Sequence, residues 1–324
     1  TSYELVAFKG YAPGRPYLNR VRFVFFEDQE KLAAALRSGS VESGYGVATL
    51  HALRVPYNRV FGVFFNAQKE PLFANDEVRE ALSVVIDRTA IVEEALGGYA
   101  TPIMGPVPPG NGVPELPLPN PETRLEDARA ILTDGDWEFS EEVGAWVKDD
   151  QTLTLTLTTS NVPELKAVAA QVQKDWQALG VPTNIELHDA SALTQDVIRP
   201  RAYSALLFGE VIGRTPDLFA FWSSSERSDP GLNIAGYANT DVDALLQRIR
   251  STQDVPVDDL AQVHTLIAED YPAAFTHTPD FVYAIPAGLS GVSLDRIASP
   301  SDRFDDVAHW YRNTELVWPV FAGK

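Results

Sequence analysis

Residues 60–88 read VFGVFFNAQKEPLFANDEVREALSVVIDR, and this stretch decides the fold class of the 324-residue chain. Its first part, Val60–Asn66, is a nearly continuous apolar run, which predicts a strand buried on both faces. A helix is predicted next, because Asn75 can cap it and Asp76 and Glu77 suit its positive end. Apolar residues then recur with helical spacing at Val78, Ala81, Leu82, Val85 and Ile86.

A strand–helix–strand unit lies farther along the chain. The segment Thr152–Thr158 alternates threonine and leucine, which predicts a strand with one buried face. The predicted helix Pro163–Leu179 carries one apolar stripe and ends at Gly180, and the predicted strand Thr183–His188 follows it. Together they form a βαβ unit, in which the two strands are normally parallel. With a further strand at Tyr203–Phe208, the sequence predicts an α/β fold.

The other periodic segments complete the expected order of elements. They predict strands at Tyr3–Phe8 and Val21–Phe26, two short strands flanking Pro279, and helices at Lys31–Arg37, Arg88–Leu96, Glu122–Leu132, Asp241–Arg250 and Val257–Asp270. Between Pro102 and Pro121, eight of twenty residues are proline. Neither a helix nor a central strand tolerates that density of proline, so we expect a fairly rigid meander there.

Composition excludes several classes of function. Asp and Glu number 45 against 26 Lys and Arg, a formal net charge of −19, and such a surface repels nucleic-acid phosphates. Cysteine is absent, which removes thiolate nucleophiles, disulfides, Cys-ligated zinc and iron–sulfur clusters. No apolar run approaches the roughly 18 residues of a membrane span. We therefore expect a globular protein that does not bind nucleic acid.

No sequence motif predicts an active site. The five histidines are scattered, without the spacing of a metal site. The segment Gly209–Thr215 superficially resembles a phosphate-binding loop, but it is one residue short and has Arg214 in place of lysine. Carboxylate neighbours such as Glu141 and Glu142 are expected by chance in so acidic a chain. We therefore expect no enzyme activity, no bound metal and no cofactor.

The segment Tyr203–Tyr237 combines aromatic side chains with small and hydrogen-bonding residues. Its aromatic members include Phe208, Phe219, Phe221 and Trp222, and glycines, serines and an asparagine lie between them. A concave ligand pocket needs this mixture of side chains. The same composition also fits aromatic residues in the core with serines in a turn, so composition alone leaves both interpretations open.

The run from Phe65 to Arg88 resembles the hallmark of the family 5 extracellular solute-binding proteins. These are the oligopeptide, dipeptide and nickel receptors of ABC importers. The shared pattern is an aromatic-Asn strand end, a helix start that reads V-R-x-A-L at Val78–Leu82, and a final I-D-R. Further segments resemble the family in the same order along the chain: Gly97–Pro102, Ala128–Trp137, Leu153–Leu157, Ala169–Val181 and Asn233–Leu246.

The resemblance implies a division into lobes. Residues 63–283 would form lobe II of a periplasmic-binding-protein-like type II fold, and residues 1–62 and 284–324 would be partial segments of lobe I. Members of the family begin well upstream of this point, so we expect the N-terminal part of the receptor to lie outside this chain. These receptors close two lobes around the ligand by a hinge motion. Val60–Asn66 and Thr278–Ile285 would be the hinge crossings.

Candidate ligand-binding residues also follow from the resemblance. They are Phe65, Phe208, Gly209, Glu210, Arg214, Asp217, Trp222 and Asn233. Peptide-binding members carry an aspartate after the strand at Tyr203–Phe208, and that aspartate neutralises the amino terminus of the peptide. Here the alignment places Arg214 at that position, and an arginine favours a carboxylate or a sugar hydroxyl over an ammonium. Glu210 or Asp217 could compensate for it.

The implied function is capture of a peptide-like ligand and its delivery to a membrane permease and the associated ATPase. We expect a monomer in the periplasm or outside the cell, a lipoprotein tethered through an anchor outside this chain. Three alternatives remain open: a receptor of the same family for an oligosaccharide or metal chelate, a carboxylate-dependent hydrolase, and a degenerate domain that serves only in protein interaction.

Overall fold

The computed structural model describes residues 2–47, 49 and 51–312. The chain divides into two compact units, one formed by Thr1–Val55 with Asp280–Lys324 and a larger one formed by Pro56–Pro279. The expected lobe II, residues 63–283, begins and ends a few residues later than this larger unit. The assignment of the units to lobes stays a prediction.

The two units contain short strands and helices that alternate along most of the chain. The strands are β1 (Ser2–Val6), β2 (Arg20–Val24), β3 (Gly44–Tyr45), β4 (Ala52–Pro56), β5 (Arg59–Phe65), β6 (Ala100–Pro102), β7 (Glu138–Ser140), β8 (Ala145–Lys148), β9 (Gln151–Thr152), β10 (Leu155–Ser160), β11 (Thr183–His188), β12 (Ala205–Val211), β13 (Ala273–Ala284), β14 (Leu289–Ser290) and β15 (Tyr311–Arg312). The helices are α1 (Gln29–Ser38), α2 (Asp76–Val84), α3 (Arg88–Ala90), α4 (Arg124–Asp134), α5 (Pro163–Leu179), α6 (Ala190–Ala192), α7 (Phe219–Trp222), α8 (Thr240–Ser251) and α9 (Val257–Glu269). Among the residues described, no helix combines the length and apolarity that crossing a membrane requires.

The smaller unit contains two antiparallel strand pairs and helix α1. Strands β1 and β2 form an antiparallel pair, and β14 pairs with β15. Helix α1 begins at Asp28, whose carboxylate accepts a hydrogen bond from the N–H of Lys31, and ends at Gly39 in the left-handed conformation. The helix was predicted at Lys31–Arg37 and extends from Gln29 to Ser38, since aspartate is a favourable N-cap and glycine tolerates a positive φ.

The larger unit is organised around a mixed sheet. Its strands follow the order β11–β10–β12–β5–β13, and β6 pairs with β13. Strand β10 is parallel to β11 and to β12, whereas β5 is antiparallel to both β12 and β13. The βαβ unit formed by β10, α5 and β11 confirms the prediction. Helix α5 and strand β11 have the predicted bounds, whereas the first strand was predicted at Thr152–Thr158 and lies at Leu155–Ser160.

Two hydrophobic cores cover the two faces of this sheet. On one face, Val63 and Phe65 pack with side chains of α2, α4 and α5, and on the other face Val60 and Phe64 pack with side chains of α8 and α9. The prediction that this strand is buried on both faces is therefore confirmed. Its alternating side chains supply both cores, as the geometry of a strand requires.

Two sequence predictions were wrong in detail. The segment around Pro279 forms one continuous strand, β13, where two short strands were expected. Proline has no N–H to donate, but the carbonyl of Pro279 accepts a hydrogen bond from the N–H of Tyr57, so backbone pairing continues there. The second difference lies in the expected helix Arg88–Leu96, which is one turn of α-helix followed by a π-helical turn at Ile91–Ala95.

A buried arginine connects the sheet to the first helices. Arg88 is 3% exposed, and its guanidinium donates to the carbonyls of Ser83, Ile86, Ile103 and Phe275 and to the hydroxyl of Ser83. Burial lowers the pKa of Arg88 to about 10, so the side chain stays charged at neutral pH. One side chain thus provides donors for carbonyl groups that lie far apart in the sequence.

Replacing Arg88 by methionine should destabilise the larger unit strongly. The substitution keeps an apolar stem but leaves several buried carbonyls without donors, which should lower the free energy of unfolding by about 3 kcal/mol or more. Urea denaturation followed by tryptophan fluorescence measures this change. Arg248→Met is the matched control, since Arg248 is exposed on α8 and pairs with Asp259. Equal losses in both variants would contradict the role given to Arg88.

Candidate functional site

The carboxyl ends of the parallel strands form an edge where the chain connections diverge. From β10 the chain continues through α5 to β11 on one side, whereas from β12 it leads through α7, α8 and α9 to β13 on the other side. Ligands of open α/β sheets bind at such a divergence, beyond the carboxyl ends of the strands. Because β5 is antiparallel, its amino end lies at this same edge. The candidate site is therefore built from the end of β12 and the start of β5.

An aromatic stack covers a glycine at this edge. Gly209 of β12 lies opposite Phe61 of β5, and the Phe61 ring stacks on the imidazole of His277 at 4.8 Å with 3° between the ring planes. Burial lowers the pKa of His277 to about 3, so the stack is uncharged at neutral pH. A Cβ atom at Gly209 would lie 2.5 Å from Cε1 of Phe61. The position of the Phe61 ring therefore requires glycine at 209.

The variant Gly209→Ala should displace the Phe61 ring and lower the free energy of unfolding by about 1–3 kcal/mol, the usual cost of overpacking. In a Phe61→Ala background the same substitution should cost less than about 0.5 kcal/mol, because the clash is then absent. A double-mutant cycle by urea denaturation measures both values. The same cost in both backgrounds would show that the ring is not what constrains Gly209.

Next to this glycine, Glu210 buries a carboxyl group that has no hydrogen-bond partner of good geometry among the described residues. The residue is 3% exposed and lies on the face of β12 that carries the α8–α9 core. The nearest polar group acting on it is the indole N–H of Trp222, which likewise lacks a well-formed hydrogen bond. Burial raises the pKa of Glu210 well above its usual range, which favours the protonated, neutral form of the carboxyl.

This protonation makes stability depend on pH in a defined direction. Between the unfolded pKa of about 4.5 and the higher folded pKa of Glu210, the folded state holds a proton that the unfolded chain has released. The free energy of unfolding of the parent should therefore fall as pH rises above 4.5, by at most about 1.4 kcal/mol per pH unit from this residue.

The variant Glu210→Gln keeps the shape of the side chain and removes its titration. Its stability relative to the parent should increase as the pH rises from 5 toward 8, for as long as the pH lies below the folded pKa of Glu210, as measured by urea denaturation at several pH values. Glu164→Gln, at the exposed start of α5, is the control for loss of a carboxylate. If the difference in free energy of unfolding between Glu210→Gln and the parent stayed constant across this range, the raised pKa assigned to Glu210 would be contradicted.

Two of the predicted ligand-binding aromatics lie in the hydrophobic cores. Phe65 is 2% exposed, with its ring centroid 4.8 Å from that of Phe73, at the end of β5 away from the candidate edge. Trp222 is 0% exposed and packs against Phe64 and Phe275. Packing accounts for both side chains, so contact with a ligand would require them to rearrange. Their ligand-binding role stays a prediction.

Asn233 is also enclosed, and it holds a turn together. Its side-chain amide donates to the carbonyls of Ser223 and Tyr237, and its Oδ1 accepts from the N–H of Tyr237. The side chain is 0% exposed. This hydrogen bonding fixes the segment that follows Trp222, and a ligand contact by Asn233 remains untested.

The other predicted residues lie on β12 or in the segment after it. Phe208 is half-buried on the same face of β12 as Glu210, and the strand brings both of them together with Gly209. Arg214 is exposed in the turn that follows β12. The carboxylate of Asp217 accepts from Nε of Arg250 at 3.0 Å and from the N–H of Phe219 at 3.1 Å. Asp217 therefore already has a positive partner.

Sequence reasoning did not identify the residues that β5 and β13 contribute to this edge. These are Arg59 and Phe61 on β5, Tyr57 just before it, and His277 on β13. Strand alternation could have placed Arg59 and Phe61 on one face. It could not show that their end of the strand meets the carboxyl ends of β10 and β12, because that depends on the strand order.

A metal site is not evident at this edge or elsewhere in the ranges that the structure describes. Within residues 2–47, 49 and 51–312, no three His, Asp or Glu side chains converge as metal ligands. His264, a buried histidine of α9, has its pKa lowered to about 4 by burial, and its Nδ1 accepts from the N–H of Val107. Its packing is therefore structural.

Comparison with known proteins gives the family. Residues 1–231 match the family model described as bacterial extracellular solute-binding proteins, family 5 middle. The chain belongs to this family. The match spans the run from Phe65 to Arg88 and the edge at Gly209, so the resemblance seen in the sequence is confirmed. The fold of this chain is also the fold of its relatives with solved structures.

Individual relatives are distant and longer. The chain is 26% identical over 303 residues to the oligopeptide-binding protein AppA of Bacillus subtilis, covering 89% of this chain and 56% of AppA. It is 24% identical over 274 residues to the nickel-binding protein NikA of Staphylococcus aureus, covering 78% of this chain and 51% of NikA. The structure of Bacillus subtilis AppA in complex with a nonapeptide superimposes with a TM-score of 0.71 at 23% identity, over 97% of this chain and 64% of that chain. The family 5 chain thus spans about half the length of these two curated relatives.

Proposed function

We propose that this family 5 chain is part of the solute-binding component of an ABC importer and that its solute is a peptide or a peptide-like molecule. The observation that carries the proposal is the family match over residues 1–231, which includes the strand edge described above. The relative AppA is named for oligopeptide binding. We further propose that the larger unit is lobe II and that the smaller unit belongs to lobe I.

The candidate edge has features that suit binding. Phe61 and Phe208 are half-buried, so each offers part of an aromatic ring to solvent and part to the protein. Strand ends supply backbone hydrogen-bonding groups, and a rigid sheet holds all of these groups in place. Aromatic surface beside fixed polar groups supports recognition of a solute that has both apolar and polar parts.

Binding without covalent chemistry fits this edge better than hydrolysis. A hydrolase with two carboxylates needs both of them to converge on the scissile bond. Glu210 is enclosed in the interior, where burial raises its pKa, and Asp217 is paired with Arg250. Neither carboxylate is placed as a free acid or base on the surface of the edge. The proposal is therefore a receptor rather than an enzyme.

A metal chelate is the second candidate solute. NikA, a relative at 24% identity, is named for nickel binding. A chelated metal brings ligands of its own, so the protein need not supply a cluster of histidines or carboxylates. In either case the proposed partners are a membrane permease and its ATPase, and the proposed location is the periplasm or the cell exterior, with tethering through an anchor outside this chain. We propose that the receptor acts as a monomer.

A thermal-shift screen of the 324-residue chain tests the proposed function. The probes are a random pool of L-pentapeptides, a nickel–histidine complex and a maltooligosaccharide mixture, with a pool of D-pentapeptides of equal composition as the control. A ligand present at 100 times its Kd should stabilise the chain by about 2.7 kcal/mol. The L-pentapeptides should raise the Tm by several degrees and the D-pentapeptides should not. No shift with any probe would refute the proposal, and a shift with nickel–histidine alone would favour the chelate.

A further inference from the structure

Arg59 begins β5 at the candidate edge. It lies opposite Val211 of β12 and shares its face of the strand with Phe61. The side chain is half-buried, whereas Val211 beside it is exposed. The charge therefore lies at the border between the protein interior and solvent, next to the aromatic stack described above.

Among the described residues, the hydrogen bond and the cation–π contact of the Arg59 guanidinium are both made with the neutral side chain of Tyr57. Its guanidinium carbon lies 4.0 Å from the ring centroid of Tyr57, and its Nη2 donates to the Tyr57 hydroxyl at 2.8 Å. Its Nε is shielded from solvent and donates to no acceptor among the described residues, as is also true of Nε in Arg124 and Arg201. Tyr57 itself is buried, so the tyrosine fixes the plane of the guanidinium without neutralising it.

Every other buried or half-buried arginine that the structure describes in the larger unit has anionic or carbonyl acceptors. Arg79 and Arg124 pair with aspartates, and Arg88 and Arg201 donate to backbone carbonyls. Arg59 has neither kind of acceptor within residues 2–47, 49 and 51–312. This is unexpected in a chain with 45 acidic residues against 26 basic ones.

A cation partly withdrawn from water is unfavourable unless an anion or several acceptors face it. The protein satisfies this requirement at its other arginines of similar burial and leaves it unmet at Arg59. A bound carboxylate would supply the missing charge, because the planar guanidinium fork matches the two carboxylate oxygens. The half-buried ring of Phe61 next to it suits an apolar group beside that carboxylate.

We propose that Arg59 is a specificity-determining residue that binds a carboxylate of the solute, with Tyr57 as the residue that positions it. This inference rests on the proposed function and narrows it to solutes that carry a carboxylate beside an apolar group. For a peptide solute, the carboxylate is the C-terminal one or that of an acidic side chain.

The test compares two forms of one probe. Random pentapeptides without Asp or Glu are prepared as free acids and as C-terminal amides, and calorimetric titration gives the apparent Kd of each pool. A second matched pair carries one glutamate or one glutamine in each peptide, both as amides. The parent chain should bind a pool with a carboxylate about 10- to 100-fold more tightly than its neutral counterpart. Whichever pair shows the preference identifies the source of the carboxylate.

Variants of the chain test whether Arg59 causes the preference for a carboxylate. In Arg59→Gln the ratio of the two Kd values should fall to about one, through weaker binding of the carboxylate form with little change for the neutral form. Arg59→Lys should keep part of the ratio, because it keeps the charge but loses the planar fork. Tyr57→Phe should reduce the ratio less than Arg59→Gln. Arg248→Gln, which breaks an exposed ion pair on α8, is the matched control and should keep the parent ratio.

The outcomes separate the inference from the proposed function. If the parent binds pentapeptides and Arg59→Gln keeps its ratio, or if both forms weaken equally, the inference is overturned and the proposed function stands. If the parent binds neither form of either pair, both fail. Circular dichroism and the Tm show whether Arg59→Gln is folded, and Arg59→Lys provides the same comparison if it is not.

Discussion

Strand β5 is paired on both edges and packed on both faces, and the rest of the larger unit depends on it. It runs antiparallel to β12 and to β13, and its alternate side chains enter two separate cores. At Gly62 the neighbouring backbone is so close that a Cβ atom would lie 3.1 Å from the carbonyl oxygen of Ala274. Because β5 is inserted antiparallel, its amino end meets the carboxyl ends of β10 and β12 and creates the candidate edge. The same strand therefore organises the sheet and creates the candidate site.

The motif residues that identify the family act as structural supports. Arg88 donates to backbone carbonyls from three separate segments, and Asn66 donates to the carbonyls of Arg201 and Tyr203 just before β12. Such residues are fixed by the scaffold, since an unsatisfied buried carbonyl is costly whatever the solute. This explains why the residues of Phe65–Arg88 can identify the family although other residues select the ligand. Scaffold and specificity lie on different residues.

The candidate edge contains two polar groups that lack the partners which buried polar groups normally have. Within the part of the chain that the structure describes, Glu210 is a buried carboxyl without a hydrogen bond of good geometry, and Arg59 is a half-buried cation without an anion. They lie on opposite faces of the paired strands β12 and β5, so they do not neutralise each other. Burial favours the neutral, protonated form of the Glu210 carboxyl, whereas the guanidinium of Arg59 keeps its positive charge. The two groups therefore have different consequences, a pH-dependent stability for Glu210 and a need for an anionic partner for Arg59.

The sequence by itself determined the α/β class, the βαβ unit predicted over Thr152–His188, the two-sided burial of β5 and the family. These depend on periodicity, capping and motif order, which are local properties of the chain. It could not determine which aromatic residues are core and which face solvent. Trp222 and Phe65 looked suited to a ligand but are enclosed, because burial depends on which elements cover a strand. Nor could it identify Arg59, since an arginine is free or paired only after folding has placed every carboxylate. Strand order and long-range packing decided those points, and they arise from contacts between residues far apart in the sequence.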